Sequence, residues 1–251
     1  MNTTVYLCDD DLDSIFTAVY DAWASRKGHN HVRLQMNRTA TMQLFCDYIT
    51  VVPNAAKAES VSRSIRRKIS TKAWHMVYRA AMSPEDSRAD DIYRFLIGGF
   101  YYGACVVDML AEPAVRRLQE LNRNIANETH YHKEFLRFDA TAEGILFARI
   151  RPKGNVLTML TPHFADRLSG ENFLILDVGR RLAAVHPAGQ DWYLASLSRE
   201  QAESFLSQKP DEYRDLWKTF YDTIAIEERK NPLLQRNNMP LWYREFMTEF
   251  L

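Results

Sequence analysis

A change of texture near Asp139 constrains the fold more than any other feature of this chain. From Ala55 to about Phe138, apolar residues recur at helical spacing. Ile92, Phe95, Leu96, Phe100 and Tyr101 mark one such face, and Val115, Leu118, Leu121 and Ile125 mark another. Beyond Asp139, short β-branched and aromatic runs are punctuated by glycine. Helical runs segregated from strand runs predict an α+β class, with central antiparallel β-hairpins flanked by N-terminal and C-terminal helical segments. At 251 residues the chain can bury a sizeable core. The reading is one unit over 1–251, divisible into a mainly helical lobe 1–138 and a lobe 139–251 of strands followed by helices.

Local signals fill in this frame. Thr4 to Leu7 reads as a short strand, after which Asp11 or Asp13 caps a helix carrying Ile15, Phe16, Val19, Tyr20 and Trp23 and closed by Gly28. Phe45 to Val52 fits a strand ended by Pro53. Ser83-Pro84-Glu85-Asp86 combines a capping serine, proline at the first helical position and acids in the first turn. Gly98-Gly99 inside that helix suits close packing better than phosphate binding. Gly144 to Ile150 and Val156 to Leu160, joined by Pro152-Lys153-Gly154-Asn155, predict one hairpin. Phe173 to Val178 and Leu182 to His186, joined at Gly179-Arg180, predict a second, and Trp192 to Leu197 adds a strand. Helices are expected from Ser198, with a break at Pro210, to about Arg229, with Tyr213, Leu216, Trp217, Phe220 and Ile224 as an apolar stripe. The tail from Asn231 reads as a docked irregular segment with a short helix.

Lys plus Arg and Asp plus Glu both number 32, so partner chemistry must be read from charge distribution rather than its sum. Cys8, Cys46 and Cys105 are far apart and odd in number, without zinc, redox or iron–sulfur spacing; free thiols in a reducing compartment are expected. The start MNTTVYLCDDDLDSIF has no basic segment followed by an apolar one, so no signal peptide is expected. The longest apolar run, Phe95 to Leu110, is broken by Gly98, Gly99, Gly103 and Asp108, and no membrane span is expected. These features place the protein in the cytoplasm.

The clearest charge feature is Arg63, Arg66, Arg67, Lys68, Lys72 and Arg79, with no acid between Val61 and Ala80. Arg63, Arg66 and Arg67 are three and four residues apart and share a helix face. Trp74, His75 and Tyr78 follow, and cations mixed with aromatics suit phosphate neutralisation plus base stacking. The plainer alternative is a solvated helix face with Trp74 and Tyr78 in the core.

A second constellation is Glu128-Thr-His-Tyr-His-Lys-Glu-Phe-Leu-Arg-Phe138. Glu128 and His132 are one helical turn apart, the geometry of a carboxylate-oriented imidazole, while His130 points elsewhere. His163 in Thr-Pro-His-Phe is the remote candidate for a third catalytic or ligating group. A helical Glu–His pair is more often structural, and no metal is assigned. Arg137, between Phe135 and Phe138, suits a phosphate clamp or pairing with Glu128 or Glu134. Asp166, Arg167, Asp177, Arg180 and Arg181 form a third group near the hairpins, with Arg167 and Arg180 as further candidates for phosphate contact. No Walker-type, dinucleotide-binding, nucleophile-elbow or His-Glu-x-x-His motif occurs, and no cofactor is expected.

Taken together, Tyr6 to Asp9 with its following helix, the Glu128 to Phe138 segment, Thr-Pro-His163-Phe164-Ala-Asp-Arg167, Phe173 to Arg181, Leu216-Trp-Lys-Thr-Phe, Ile226 to Gln235 and Met239-Pro240 resemble a family of DNA-metabolism proteins containing a domain of unknown function. The resemblance covers nearly the whole chain. It departs at Leu241-Trp-Tyr243-Arg, where the family carries an Arg-Tyr-Trp-like stretch, and in having both His130 and His132. The family occurs beside a radical-SAM DNA modification or repair protein and is sometimes fused to a uracil-DNA-glycosylase-like domain. The resemblance implies DNA metabolism or repair, with DNA and a radical-SAM protein as partners. The first expectation is therefore an accessory DNA-binding component. The alternatives are an enzyme acting on a nucleotide or DNA base through Glu128, His132 and His163, and a purely structural partner that docks through its aromatic tail.

Overall fold

In the computed structural model, which describes residues 2–141, 143–201, 213–224 and 226–250, the chain divides into two units, Met1–Ala126 and Asn127–Leu251. The first is built on a parallel sheet in the order β2-β1-β3, from β1 (Thr3–Cys8), β2 (Val32–Met36) and β3 (Cys46–Thr50). β1 is buried along almost its whole length, as the unbroken run Val-Tyr-Leu-Cys in the middle strand of a covered parallel sheet should be. Helix α1 (Leu12–Ala24) is the crossover from β1 to β2, and Asp11 caps it by accepting the Ser14 N–H at 2.7 Å. β2 was not expected; five residues alternating Val-Arg-Leu-Gln-Met give too short a signal between two turns.

Helices α2 (Ala55–Lys68), α3 (Thr71–Ala81), α4 (Arg88–Tyr102) and the start of α5 (Pro113–Phe135) complete this unit. Ile65, Val77, Phe95, Leu96, Leu118 and Leu121 fill its core with Phe16 and Val32. Gly99 sits in that packing: a Cβ added there would lie 2.6 Å from Ile69 Cδ1, which accounts for the small residue. The capping expectation at Ser83 is corrected. α4 begins at Arg88, with Ser87 at its N-cap, because residues 81–88 wrap a fully buried guanidinium. Arg88 donates to Ala81 O at 3.1 Å and Glu85 O at 3.0 Å, and pairs with Asp10.

The second unit carries a five-stranded sheet in the order β4-β5-β6-β7-β8, from β4 (Phe138–Ala140), β5 (Leu146–Ile150), β6 (Phe173–Asp177), β7 (Leu182–His186) and β8 (Tyr193–Ser196). Helix and strand are mixed throughout the chain, in keeping with an α+β class. The finer expectation of consecutive hairpins is corrected. β5 pairs with β6 in parallel, and between them runs α6 (Leu157–Arg167), not a strand over Val156–Leu160. Val156, Leu157, Leu160, Thr161 and Phe164 are all buried at helical spacing, so a period of 3.6 overrides the β-branched start. β6–β7 and β7–β8 are antiparallel, as is the short β4–β5 pair. Leu136, Ile150, Leu160, Phe164, Phe173 and Ile175 form this unit's main core.

Helix α7 (Tyr213–Ile224) presents exposed Leu216, Trp217, Phe220 and Ile224. The expected helix from Ser198 across Pro210 lies largely outside the described residues. The tail forms α8 (Pro232–Asn238), capped by Asn231, then short 3-10 turns over Leu241–Phe246 and Thr248–Phe250. No single described helix is long and apolar enough to cross a membrane.

Candidate nucleic-acid interface and clamped loop

Residues 55–81 hold seven cations, Lys57, Arg63, Arg66, Arg67, Lys68, Lys72 and Arg79, against one acid, Glu59, in a chain of zero net charge. Asn54 caps α2 by accepting the Lys57 N–H at 3.0 Å, and Arg66, Arg67 and Lys68 occupy its last turn, where the helix dipole favours cations. Several of the seven are engaged. Lys57 pairs with Asp21 at 2.6 Å, Arg63 with Glu59 at 3.4 Å and Lys72 with Asp108 at 3.0 Å, and Arg79 donates to Asn122 at 3.3 Å. Arg66 lies over the Trp74 ring at 3.9 Å, and Trp74 stacks on Tyr78 and donates to Ser62 Oγ. That aromatic pair is thus committed to joining α2 and α3. Arg67 and Lys68 are exposed and have no acidic partner among the described residues.

Beside this face runs an open groove of about 440 Å³, lined by Val19, Tyr20, Trp23 and Phe100 with Ser64 and Lys68. Ser60, Ser64 and Lys68 are four residues apart and form one row of α2; Arg63 and Arg67 form the next row. Cations therefore border an aromatic surface, which is supplied by α1 and α4 and not by the Trp74–Tyr78 pair that the sequence pointed to.

In the second unit the structure centres on the loop Arg151–Asn155 between β5 and α6. Glu128, almost fully buried on α5, accepts the Lys153 N–H at 2.6 Å and the Gly154 N–H at 2.9 Å. From the other side, Arg180 donates to Pro152 O at 3.2 Å and Lys153 O at 2.6 Å. Arg180 is held by Asp177, fully buried at the end of β6, which accepts its backbone N–H at 3.1 Å and its Nη1 at 3.0 Å. Charge-assisted hydrogen bonds thus grip two amides and two carbonyls of one loop.

His132, one turn on from Glu128, makes no ion pair with it. Its ring meets Tyr243 edge-on at 5.0 Å, and its buried Nε2 has no hydrogen-bond partner among the described residues. Burial pushes this imidazole down to about 4, so it is neutral above that pH. Burial, followed by the charge of Glu128, pushes the Tyr243 hydroxyl well up. His130 is exposed and pairs with Glu134 at 3.0 Å.

His163 and Arg167 lie exposed on α6, and among the described residues no hydrogen bond, ion pair or ring contact joins His163 to Glu128 or His132. No group of three metal-ligating side chains occurs among the described residues. Arg137 donates to Glu249 at 2.7 Å. Of the candidates, Glu128, His132 and Arg180 surround or adjoin the clamped loop, whereas Arg63, Arg66, Arg67, Lys68, Lys72 and Arg79 belong to the first unit. The loop itself and the residues Tyr243, Glu245 and Glu249 were missed. Pro152-Lys153-Gly154-Asn155 did signal a turn, but that composition is shared by hairpins and by strand-to-helix connections.

The family model of a domain of unknown function, DUF4130, matches residues 86–249. No curated protein and no solved structure matches the chain. The clamped loop and everything that grips it lie inside the matched segment, and the α2–α3 cations lie before it.

Proposed function

Since the chain belongs to the DUF4130 family, a domain of unknown function, we propose its function from its own residues: it binds nucleic acid through α2, and DNA is the polymer the resemblance favours. One observation carries this reading. Arg67 and Lys68 stand exposed and without an acidic partner among the described residues, at the edge of a groove lined by Tyr20, Trp23 and Phe100. Phosphates tracking along α2 would displace counterions, and an unstacked base would lie on the aromatic surface, a combination that serves single strands. A zero net charge is compatible with this, because the cations are gathered on one helical hairpin. Action beside a radical-SAM DNA modification or repair protein is part of the same proposal and rests on the resemblance alone, while a cytoplasmic location is proposed from the free thiols and the residue pattern of the chain.

The experiment is binding of the full chain to single- and double-stranded DNA across a salt series. Log affinity should fall linearly with log salt, and the variant R66Q/R67Q/K68Q should lower the slope by about 2 on single strands. A slope unchanged by that variant, or no binding at low salt, would end the reading.

A further inference from the structure

The second unit holds a group of three arginines, two of which are paired by carboxylates of the segment 241–250. Arg137 just past the end of α5, Arg149 on β5 and Arg151 in the clamped loop all line one small, partly open cavity of about 20 Å³, together with His132, Trp242 and Tyr243. A space of that size admits no more than a single water. One side of it is lined by Trp242, Tyr243, Glu245 and Phe246 of the segment 241–250. Glu245 takes the Arg151 fork, with Nε at 3.1 and 3.0 Å from its two oxygens. Glu249, whose side chain is only 3% exposed, takes Arg137 at 2.7 Å and the Trp217 indole N–H at 3.3 Å. Trp242 donates its indole N–H to Arg151 O at 2.9 Å. Arg149 is paired from elsewhere, with Asp139 at 3.1 Å.

Two buried donor or acceptor atoms beside this cavity are left over. Arg137 Nε and His132 Nε2 have no hydrogen-bond partner among the described residues, although unpaired buried polar groups are costly and rare in folded chains. The carboxylates of the segment therefore cover the arginine forks without using all of the polar capacity around them.

We infer that Arg137, Arg149 and Arg151 form a binding site for a phosphate group, and that Glu245 and Glu249 occupy it as an internal substitute. Guanidinium forks match phosphate oxygens in pairs, and one phosphate dianion carries the charge that here takes two separate carboxylates to supply. The segment is tethered to the site, so it competes at a high effective concentration and keeps the affinity for outside phosphate low. The phosphate would belong to a free phosphate compound or to a nucleic-acid backbone. The site lies in the second unit and does not rest on the α2 reading.

The test uses the full chain carrying R66Q, R67Q and K68Q, so that the α2 face is disabled and failure of one reading is separable from failure of the other. Inorganic pyrophosphate, a short oligothymidylate and succinate are each titrated by calorimetry. Adding E245Q and E249Q should tighten pyrophosphate binding at least about tenfold by removing the competitor. R137Q/R149Q/R151Q should abolish it. Oligothymidylate binding more tightly than pyrophosphate assigns the phosphate to a nucleic-acid backbone; the reverse order assigns it to a free compound. The inference is overturned if the freed site binds pyrophosphate no better than before, or binds succinate as tightly. Should E245Q/E249Q fail to fold, the unmodified segment decides. Pyrophosphate must then change tryptophan fluorescence and speed tryptic cleavage after Arg244, and the absence of both effects overturns the inference.

Discussion

Glu128 and Gly154 are joined across 26 residues of sequence by a buried hydrogen bond of 2.9 Å from the glycine amide to the carboxylate. The other carboxylate oxygen takes the Lys153 amide, so both oxygens of a carboxylate spaced one turn from His132 are engaged in holding a loop. E128A strips both amides of their acceptor and should cost about 2–5 kcal/mol, whereas E128Q, which keeps one acceptor, should cost about half as much. Urea unfolding of the two variants measures the difference. A loss below about 0.5 kcal/mol in E128A would show that the clamp does not stabilise the unit.

His132 makes stability depend on acid. Its folded value near 4 lies below the ordinary 6.5, so between these two values the unfolded chain binds a proton that the folded chain does not. Stability is intact above about 6.5 and should decline as pH falls toward 4, by about 3 kcal/mol in all. Chemical denaturation at a series of pH values checks this. H132F should flatten the curve in that window, while leaving the losses at lower pH that come from carboxylates such as Glu249, which Arg137 holds below its usual range against the opposing effect of burial.

Much of this was legible. Strand β1, a cap for α1 at one of the two aspartates Asp11 and Asp13, the helical stretch to α5 and the β6–β7 pair follow from periodicity, caps and turn residues that act over a few positions. What was not legible is non-local. Val156 to Leu160 reads as a strand by composition, and only burial of Val156, Leu160 and Phe164 on one side decides for a helix. Glu128 and His132 have the spacing of a pair, but the loop amides compete for the carboxylate and Tyr243 fills the place beside the ring. Glu245 and Glu249 give no sign in the sequence of their partners, which lie 94 and 112 residues away.

The three cysteines should separate by reactivity. Cys105 is exposed, Cys46 is intermediate and Cys8 is buried, with burial pushing its thiol up to about 12. Dithiobis-nitrobenzoate at pH 8 should label Cys105 at once and Cys46 more slowly. Cys8, with roughly one part in ten thousand as thiolate, should react only on unfolding. Rapid labelling of Cys8 in the native protein would contradict its buried place at the end of the middle strand β1.

Arg88 and Asp10 should respond unequally although they pair. Arg88 is fully buried and also satisfies the Ala81 and Glu85 carbonyls, while the Asp10 side chain is 55% exposed. R88M strands those carbonyls and should cost about 2–4 kcal/mol. D10N alters a largely solvated partner and should cost less than about 1 kcal/mol. Equal losses in thermal or urea unfolding would mean that the ion pair, and not the carbonyl wrapping, holds this turn.

Arg88 has one more consequence. The likeness to DUF4130 starts at residue 86, yet α4, which follows at once, is buried among strands and helices that precede it. A fragment cut at that border would leave Ile92, Tyr93, Phe95 and Leu96 facing water, and it should aggregate on expression while the full chain does not. Family likeness and packing divide this polypeptide at different places: the likeness begins at residue 86, whereas the packing divides within α5, after Ala126.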